Sequence, residues 1–250
     1  MYLIESENAN IIVDVGVSYK KCKSALSSIG KSFDDISAIF ITHEHKDHIS
    51  GLPVLLKNEN IPIYSSKLTS KYLNSLLKDK QISIENLNCI ERDEIVKILD
   101  IDITPFDISH DAVEPFGYRL TSNDSTITIA TDLGVMTSTV MEHLHAADFA
   151  VVESNYDKDT LYAGSYPFTV KKRIDSCDGH LSNIDSASAI IELAKAGKRN
   201  FLLVHLSENN NMPILAKETL SSCLSLEGFN LMDFNINLAS KDFSSEAYVV

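Results

Sequence analysis

The strongest indication of how this chain folds is the stretch Thr42-His43-Glu44-His45-Lys46-Asp47-His48. It directly follows the apolar run Ile39-Phe40-Ile41, which is typical of a buried strand. Three imidazoles and a carboxylate fall in the pattern H-x-H-x-D-H. These are ligands that borderline divalent cations such as zinc and manganese prefer. The stretch therefore predicts a metal site, against the alternative of a surface loop that happens to be rich in histidine.

Three further residues of ligand type each follow an apolar, strand-like run. They are His110 after 101–108, Asp132 after 127–130 and His205 after 201–204. One such histidine is usually a satisfied core or surface residue, but the recurrence indicates a metal centre built at strand ends, where a rigid scaffold can aim side chains. His143 and His145 form another H-x-H on a predicted helix. They are separated by about 200° of rotation there, so we expect both at the surface.

Composition is that of a globular protein, with 250 residues, 44% hydrophobic and 23% charged. The net charge of −13 argues against broad attraction to nucleic acid, although a local basic track remains compatible with it. The four cysteines are widely spaced and are interpreted as reduced packing residues. The N-terminus lacks the basic segment of a signal peptide, and no apolar run reaches the ~20 residues of a membrane span. We expect a cytoplasmic protein without a membrane partner, and nothing supports an oligomer.

Runs of strands followed by alternating strands and helices occur in both halves of the chain. This pattern predicts two sheets packed face to face with helices outside, in a single domain over 1–250 whose α/β halves are roughly 1–125 and 126–250. We expect a helix over 48–57, a loop over 156–168 and a final strand over 230–238. Either Ser182 or Asn183 can cap the helix that ends at Gly197. For Asp14, a carboxylate that holds a loop by backbone hydrogen bonds is favoured over a distant ligand.

The whole ligand set resembles that of the metallo-β-lactamase fold superfamily, of which H-x-H-x-D-H is the hallmark. The resemblance covers almost the whole chain and implies the α/β, four-layer αββα sandwich. It implies that His43, His45 and His110 hold one metal ion, that Asp47, His48 and His205 hold a second, and that Asp132 bridges the two. The implied cofactors are two divalent metal ions, zinc or manganese. Such a pair can share a nucleophilic hydroxide, which Asp47 would help to orient.

The motif Val152-Glu153-Ser154-Asn155-Tyr156-Asp157, with Gly179-His180-Leu181-Ser182-Asn183 downstream, bears on the substrate. It resembles the glutamate and histidine pair of tRNase Z, which relays a proton to the leaving oxygen. Cleavage of a P–O bond needs a general acid, and a histidine held by a carboxylate can supply it. The alternative is a structural ion pair of Glu153 and a histidine that merely precedes a helix cap.

The form H-L-S-x-x-N-N over 205–211, together with G-H-L-S-N, resembles the WalJ group, also called YycJ or VicX. The resemblance implies a metal-dependent 5′-to-3′ DNA exonuclease. Ser207 and Asn210 would contact a phosphate or order the loop. Members of this group usually carry a Gly/Ser-rich segment before the first strand, so we expect that opening loop to be missing or shifted here.

A basic cluster, Lys171-Lys172-Arg173, precedes His180. Lys and Arg contacts to phosphates position a nucleic-acid backbone without reading its sequence, and a solvated helix face is the alternative. Together these features predict a metal-dependent phosphodiester hydrolase acting on nucleic acid, DNA rather than RNA. The alternatives are a glyoxalase II-like thioester hydrolase and a non-catalytic regulatory protein. A cysteine at the second metal site is not evident, which argues against β-lactam hydrolysis. The native metal, exo- versus endo-cleavage and its polarity stay open.

Overall fold

The computed structural model describes residues 1–82, 86–123, 125–239 and 245–250. The chain divides into two compact units. One comprises Met1–Asp107 and Ala112–Asp124, and the other comprises Ile108–Asp111 and Ser125–Val250. The predicted turn over 122–124 includes a residue outside the described ranges. The single domain over 1–250 stays a prediction.

The first unit contains a five-stranded sheet in the order β1-β2-β3-β4-β5. Its strands are β1 Tyr2–Glu5, β2 Asn10–Val13, β3 Ala38–Phe40, β4 Ile63–Ser65 and β5 Leu87–Cys89. The β1–β2 pair is antiparallel and the other neighbours are parallel. The same unit contains an antiparallel set, β6 Val96–Ile98, β7 Ile101–Asp107 and β8 Phe116–Ser122. The strand β5 was not expected, because only one of its side chains is even half-buried and no apolar pattern marks it.

In the described part of this unit, four α-helices flank these strands: α1 Tyr19–Ser28, α2 Lys46–Ile49, α3 Leu52–Asn58 and α4 Lys67–Asp79. Their buried apolar side chains pack with those of β2 and β3 in one cluster, which includes Ile12, Ile39, Leu26, Leu55 and Leu73. This core holds the carboxyl ends of β2 and β3 in place. Both strand ends lead into polar residues that belong to the candidate site.

The single helix predicted over 48–57 is wrong, because α2 and α3 are separated at Gly51. Pro53 lies in the first turn of α3, where its missing N–H costs nothing, whereas it would break a continuous helix. The Gly51 N–H donates to the Val15 carbonyl at 2.9 Å. A Cβ on Gly51 would lie 1.9 Å from the carbonyl oxygen of Val17. The break therefore lets the chain after the histidine stretch lie against the segment that follows β2.

The second unit contains parallel strands in the order β9-β10-β11-β12, namely β9 Ser125–Ala130, β10 Phe149–Glu153, β11 Asn200–Val204 and β12 Asn235–Leu238. Its helices are α5 Ser138–Ala146, α6 Lys158–Ala163, α7 Phe168–Ile174, α8 Asn183–Lys195 and α9 Pro213–Leu226. The carboxyl ends of parallel strands meet at one edge, where ligands of open α/β sheets bind. Among the described residues, no helix combines the length and apolar character needed to cross a membrane.

Two predicted boundaries in this unit are wrong. The segment 156–168 is not a loop throughout, because the Asp157 side chain accepts a hydrogen bond from the Thr160 N–H and starts α6. The last strand begins only at Asn235, after a short 3₁₀ turn over Leu231–Asp233. The cap of α8 is confirmed as Ser182, whose hydroxyl accepts from the Asp185 N–H.

Both histidines of the predicted helix were expected at the surface. This prediction is wrong for His143, which is buried in α5, while His145 is half-buried. The different burial of the two side chains agrees with the rotation of about 200° between them. The packing role expected for the cysteines is confirmed for buried Cys22 and wrong for Cys89 and Cys177, which are exposed free thiols.

Candidate metal centre

In the first unit, Asp14 fixes the start of the histidine stretch. It follows β2 and is almost fully buried. Its carboxylate accepts the Thr42 N–H at 2.9 Å, the Thr42 hydroxyl at 2.8 Å and the Nδ1–H of His48 at 2.7 Å. The favoured interpretation of Asp14 as a carboxylate that holds a loop through a backbone hydrogen bond is confirmed. Its contact with His48 is a further role, which the sequence did not reveal.

The same contacts fix the tautomers of two histidines. The Thr42 hydroxyl donates its one hydrogen to Asp14, so it accepts from Nδ1 of His43 at 3.0 Å. His48 donates from Nδ1 to Asp14. Because Nδ1 is held in this way, Nε2 of each ring is the atom left to bind a metal. Burial pushes the pKa of Asp14 up, but the charge and hydrogen bond of His48 outweigh this, and the pKa lies below its ordinary value.

The other ligand-type residues of the stretch lie beside these two. The ring centroid of His43 is 4.7 Å from that of His45 and 4.1 Å from that of His48. Oδ2 of Asp47 lies 3.7 Å from Nε2 of His48, and the Asp47 side chain is 68% exposed. A Cβ on Gly16 would lie 1.5 Å from the Asp47 carbonyl oxygen, so only glycine permits this close approach. The loop thus gathers all four predicted ligands of the first unit.

In the second unit, three acidic or imidazole groups lie at the ends of neighbouring parallel strands. Asp132 follows β9, Glu153 ends β10, and His205 follows β11. Asp132 and His205 have φ of 58° and 57°, a left-handed conformation that costs energy in non-glycine residues and persists where its surroundings enforce it. Asn155 supplies one such restraint, because its amide donates to the His205 carbonyl at 2.8 Å.

Glu153 is fully buried and bonded through both oxygens. Oε1 accepts from Nδ1 of His180 at 2.8 Å and from Nδ1 of His205 at 2.7 Å. Oε2 accepts the N–H groups of Leu133 at 2.7 Å and Leu181 at 3.2 Å. One carboxylate therefore orients both the predicted acid and a predicted metal ligand.

The environment separates the proton affinities of Glu153 and His180. Burial pushes the pKa of Glu153 up, but the charge and hydrogen bond of His180 outweigh it and lower the pKa. Burial pushes the pKa of His180 down, but the charge and hydrogen bond of Glu153 outweigh it and raise the pKa. Both shifts favour an ionised carboxylate beside a protonated imidazole, which is the arrangement of a general acid and its orienting base.

His110 belongs to the second unit through the segment Ile108–Asp111. Its Nδ1 donates to the Gly179 carbonyl at 3.1 Å, and burial lowers its pKa, which favours the neutral ring. Its Nε2 lies 3.6 Å from Oδ1 of Asp132. That separation is too long for a good hydrogen bond. It is close to the ligand–ligand edge, about 3.4 Å, of a tetrahedron with metal–ligand bonds near 2.1 Å.

The residues present fit a divalent metal. Nδ1 of each of His43, His48, His110 and His205 is engaged by a protein oxygen, which leaves Nε2 as the coordinating atom. In the second unit, Asp132, Glu153, His180 and His205 each bring a ligand-type atom within 4.8 Å of the others. Imidazole and carboxylate donors without a thiolate suit zinc, manganese or iron.

The basic cluster is divided between three environments. The Lys171 ammonium is buried and donates to the carbonyls of Tyr162 at 2.7 Å and Gly164 at 2.6 Å. Arg173 forms an ion pair with Asp111. The Lys172 ammonium lies over the rings of Tyr162 and Phe168. Lys171 therefore has a structural partner set, and the phosphate contacts of the cluster stay a prediction.

The loop after His205 is ordered by its own side chains. Ser207 Oγ accepts the Asn210 N–H at 3.2 Å, and the Asn210 carbonyl accepts the Asp157 N–H at 2.8 Å. Buried Asn211 donates to the carbonyls of Ser154 at 2.9 Å and Asn155 at 3.1 Å. These contacts support the loop-ordering interpretation of Ser207 and Asn210, and their contact with substrate stays a prediction.

The loop-ordering role predicted for the asparagines after His205 holds for Asn211, whereas sequence reasoning missed Asn155 as a support of the site. They satisfy backbone carbonyls at the end of β10 and after β11. The available signal was a run of small polar residues directly after an apolar strand, where buried backbone groups need partners.

Comparison with known proteins agrees with this architecture. The family model described as Beta-lactamase superfamily domain matches residues 9–206. The crystal structure of the metallo-beta-lactamase fold protein YhfI from Bacillus subtilis has a TM-score of 0.70 at 17% identity, covering 98% of this chain and 90% of that one. The chain belongs to the metallo-β-lactamase superfamily, and the predicted fold is confirmed.

More specific relatives lie within that superfamily. Exodeoxyribonuclease WalJ of Streptococcus pneumoniae serotype 2 is 33% identical over 242 residues, which are 96% of this chain and 90% of the relative. Exodeoxyribonuclease YycJ of Bacillus anthracis is 31% identical over 231 residues, which are 92% of this chain and 87% of the relative. The resemblance to the WalJ group, inferred from the motifs after His180 and His205, is confirmed.

Proposed function

We propose that this chain is a metal-dependent exodeoxyribonuclease that removes nucleotides in the 5′-to-3′ direction. The observation that carries the proposal is the Glu153 carboxylate, which lies 2.8 Å from Nδ1 of His180 and orients that ring as a general acid. A phosphodiester expels an alkoxide-like oxygen, which needs such an acid. The relatives named exodeoxyribonuclease, aligned along nearly the whole chain, support DNA as the substrate.

The proposed metal ligands are those that the family resemblance assigns. His43, His45 and His110 would hold one divalent ion, Asp47, His48 and His205 a second, and Asp132 both. When bound, the ions would activate a water and offset the charge of the phosphoryl group. Zinc and manganese both suit the donor set. The exposed carboxylate of Asp47 is the proposed group that orients the attacking water.

The proton path uses residues of the second unit. Glu153 holds Nδ1 of His180, so Nε2 is the atom that would deliver the proton to the leaving oxygen. The Leu133 and Leu181 N–H groups hold Oε2 of Glu153 in place through the step. Glu153 also holds His205, so its loss would disturb both the acid and a metal ligand.

Phosphate contacts are assigned to Lys172 and Arg173, with Ser207 and Asn210 as further candidates. Lys171 contributes by tying α7, which carries Lys172 and Arg173, to the backbone of Tyr162 and Gly164. Cytoplasmic location and the choice of DNA over RNA belong to the same proposal.

The test compares DNA with a glutathione thioester, using one metal-loaded preparation with manganese and with zinc. We expect DNA cleavage, and Glu153→Gln should lower kcat by about 10²–10⁴-fold. Glu192→Gln is the matched control, because that carboxylate is exposed. Thioester turnover without DNA cleavage would establish the glyoxalase II-like alternative. Fewer than two bound ions together with no hydrolysis would instead favour a regulatory protein.

A further inference from the structure

An exposed aromatic surface adjoins the basic cluster. Phe168, at the start of α7, is 64% exposed. The Lys172 ammonium lies 5.6 Å from the Phe168 ring centroid and 6.0 Å from that of Tyr162. Both distances are within the range of a cation–π contact. Tyr162, Phe168 and Lys172 are here called the aromatic platform.

The platform stands on fixed backbone. The Tyr162 hydroxyl donates to Asp175 at 2.6 Å, and Asp175 also accepts from the Tyr156 hydroxyl at 2.8 Å. The Lys171 ammonium holds the carbonyls of Tyr162 and Gly164. The exposure of Phe168 is therefore a property of an anchored segment, and two aromatic rings with a cation between them form one continuous surface there.

The helix α7 connects the platform to the candidate acid. The His180 N–H donates to the Ile174 carbonyl at 2.9 Å at the end of α7. A Cβ on Gly179 would lie 2.2 Å from the Ile174 oxygen, so the two segments are in the closest contact that a backbone allows. Seven helical residues span about 10 Å, which corresponds to about three nucleotides of a stacked strand.

We propose that the aromatic platform is a nucleobase-stacking site for single-stranded DNA, in which Phe168 stacks on a base and Lys172 contacts the adjacent phosphate. The inference rests on the proposed nuclease function and specifies how the substrate strand is held. An aromatic face interleaved with a cation is the sequence-tolerant device of single-strand binding proteins. A chain of net charge −13 can hold a strand with few cations if stacking supplies part of the affinity.

Binding without turnover tests the proposal. The dissociation constant of a 5′-phosphorylated oligonucleotide is measured by fluorescence anisotropy on the full chain with EDTA present. Phe168→Ala should weaken binding by about 5- to 30-fold, whereas Phe168→Tyr should bind like wild type. Tyr72→Ala is the matched control, since Tyr72 is a 44% exposed aromatic of α4 in the first unit.

An abasic scan of the oligonucleotide separates stacking from a structural effect. Removing one base about three nucleotides from the 5′ phosphate should weaken wild-type binding, and the same removal should have no further effect on Phe168→Ala. Equal affinities of wild type and Phe168→Ala, no abasic effect in wild type, or absence of binding by wild type would overturn the proposal.

A substrate without a base distinguishes this proposal from the proposed function. Phe168→Ala should raise the KM for DNA by a larger factor than the KM for bis(4-nitrophenyl) phosphate, and Tyr72→Ala should raise neither. If wild type cleaves no phosphodiester at all, the nuclease function fails, and the binding comparison still decides whether Phe168 stacks on DNA.

Discussion

Glu153 combines two tasks in one buried side chain. The sequence predicted its partnership with His180 through the resemblance of the two motifs to the glutamate and histidine pair of tRNase Z. Its bond to His205 was not predictable, because it depends on the register that places β10 beside β11. The left-handed conformations of Asp132 and His205 were likewise not predictable, since neither residue type indicates a positive φ as glycine does.

Asp14 provides the residue-scale prediction for metal binding. Asp14→Asn keeps the shape but places an amide hydrogen against a donor, either the Thr42 N–H or His48 Nδ1. We expect metal affinity to fall by about 10- to 100-fold, measured by titration against a competing chelator. Asp34→Asn, an exposed carboxylate of the same unit, should change nothing. Equal affinities of Asp14→Asn and wild type would remove Asp14 from the support of His48.

His180 provides the residue-scale prediction for proton transfer. His180→Gln should reduce kcat on ordinary DNA by about 10²–10⁴-fold. On DNA with sulfur in place of the leaving 3′ oxygen, the loss should be under about tenfold, because a thiol with a pKa near 8.5 leaves without a proton. His145→Gln is the control, because His145 is half-buried and has no proposed part in the site. The same loss on both substrates would mean that His180 does not act as the acid.

At the scale of elements, hydrophobic periodicity located most strands and helices. It failed where side chains rather than apolar patterns set the boundary. The Asp157 cap began α6 in a segment predicted as a loop, and the approach of Gly51 to the Val15–Val17 backbone divided a predicted helix. Both depend on tertiary contacts that a single sequence does not display.

Asp175 ties α6 and α7 together and gives the element-scale prediction. Burial pushes its pKa up, but hydrogen bonds from Tyr162 and Tyr156 outweigh this and lower the pKa below 3.8. Its stabilisation is therefore complete above that unfolded value and is lost as pH falls through the lower folded value. Asp175→Asn should reduce the free energy of unfolding by about 1–3 kcal/mol at neutral pH.

The difference between wild type and Asp175→Asn should shrink as pH falls below 3.8 and through the lower folded pKa of Asp175. Urea unfolding at neutral pH and in acid measures it. Asp79→Asn, which alters an exposed carboxylate at the end of α4, should show no such pH-dependent difference. A difference for Asp175→Asn that is unchanged in acid would contradict the assigned hydrogen bonds.

At the scale of the whole molecule, the acidic charge limits how DNA is held. With Lys172 and Arg173 as the proposed phosphate contacts, we expect the slope of log K against log salt to be only about −1 to −2 for single-stranded DNA. Lys172→Ala should make it shallower by about 0.7. Anisotropy titrations of the metal-free protein across a salt series measure both. A wild-type slope steeper than about −5 would require a basic track elsewhere.

The family could be predicted from the sequence, because H-x-H-x-D-H is followed along the chain by three ligand-type residues at strand ends. The substrate was harder to predict, since it depends on the shape of the surface. Phe168 is a case in point, because its exposure follows from how Lys171 and Asp175 anchor the surrounding backbone, and nothing in the local sequence distinguishes it from a core residue.

The proposed metal-dependent 5′-to-3′ hydrolysis of DNA is tested most directly by nucleotide release. The substrate is 5′-phosphorylated, 3′-labelled DNA, and metal-loaded wild type is compared with Asp132→Asn. Asparagine tolerates the left-handed conformation of Asp132, so this variant should fold while losing the carboxylate that is proposed to bridge the two ions. We predict mononucleotide release from the 5′ end by wild type, none after chelation and none by Asp132→Asn. No turnover of DNA or RNA by metal-loaded wild type, or equal turnover by Asp132→Asn, would contradict it.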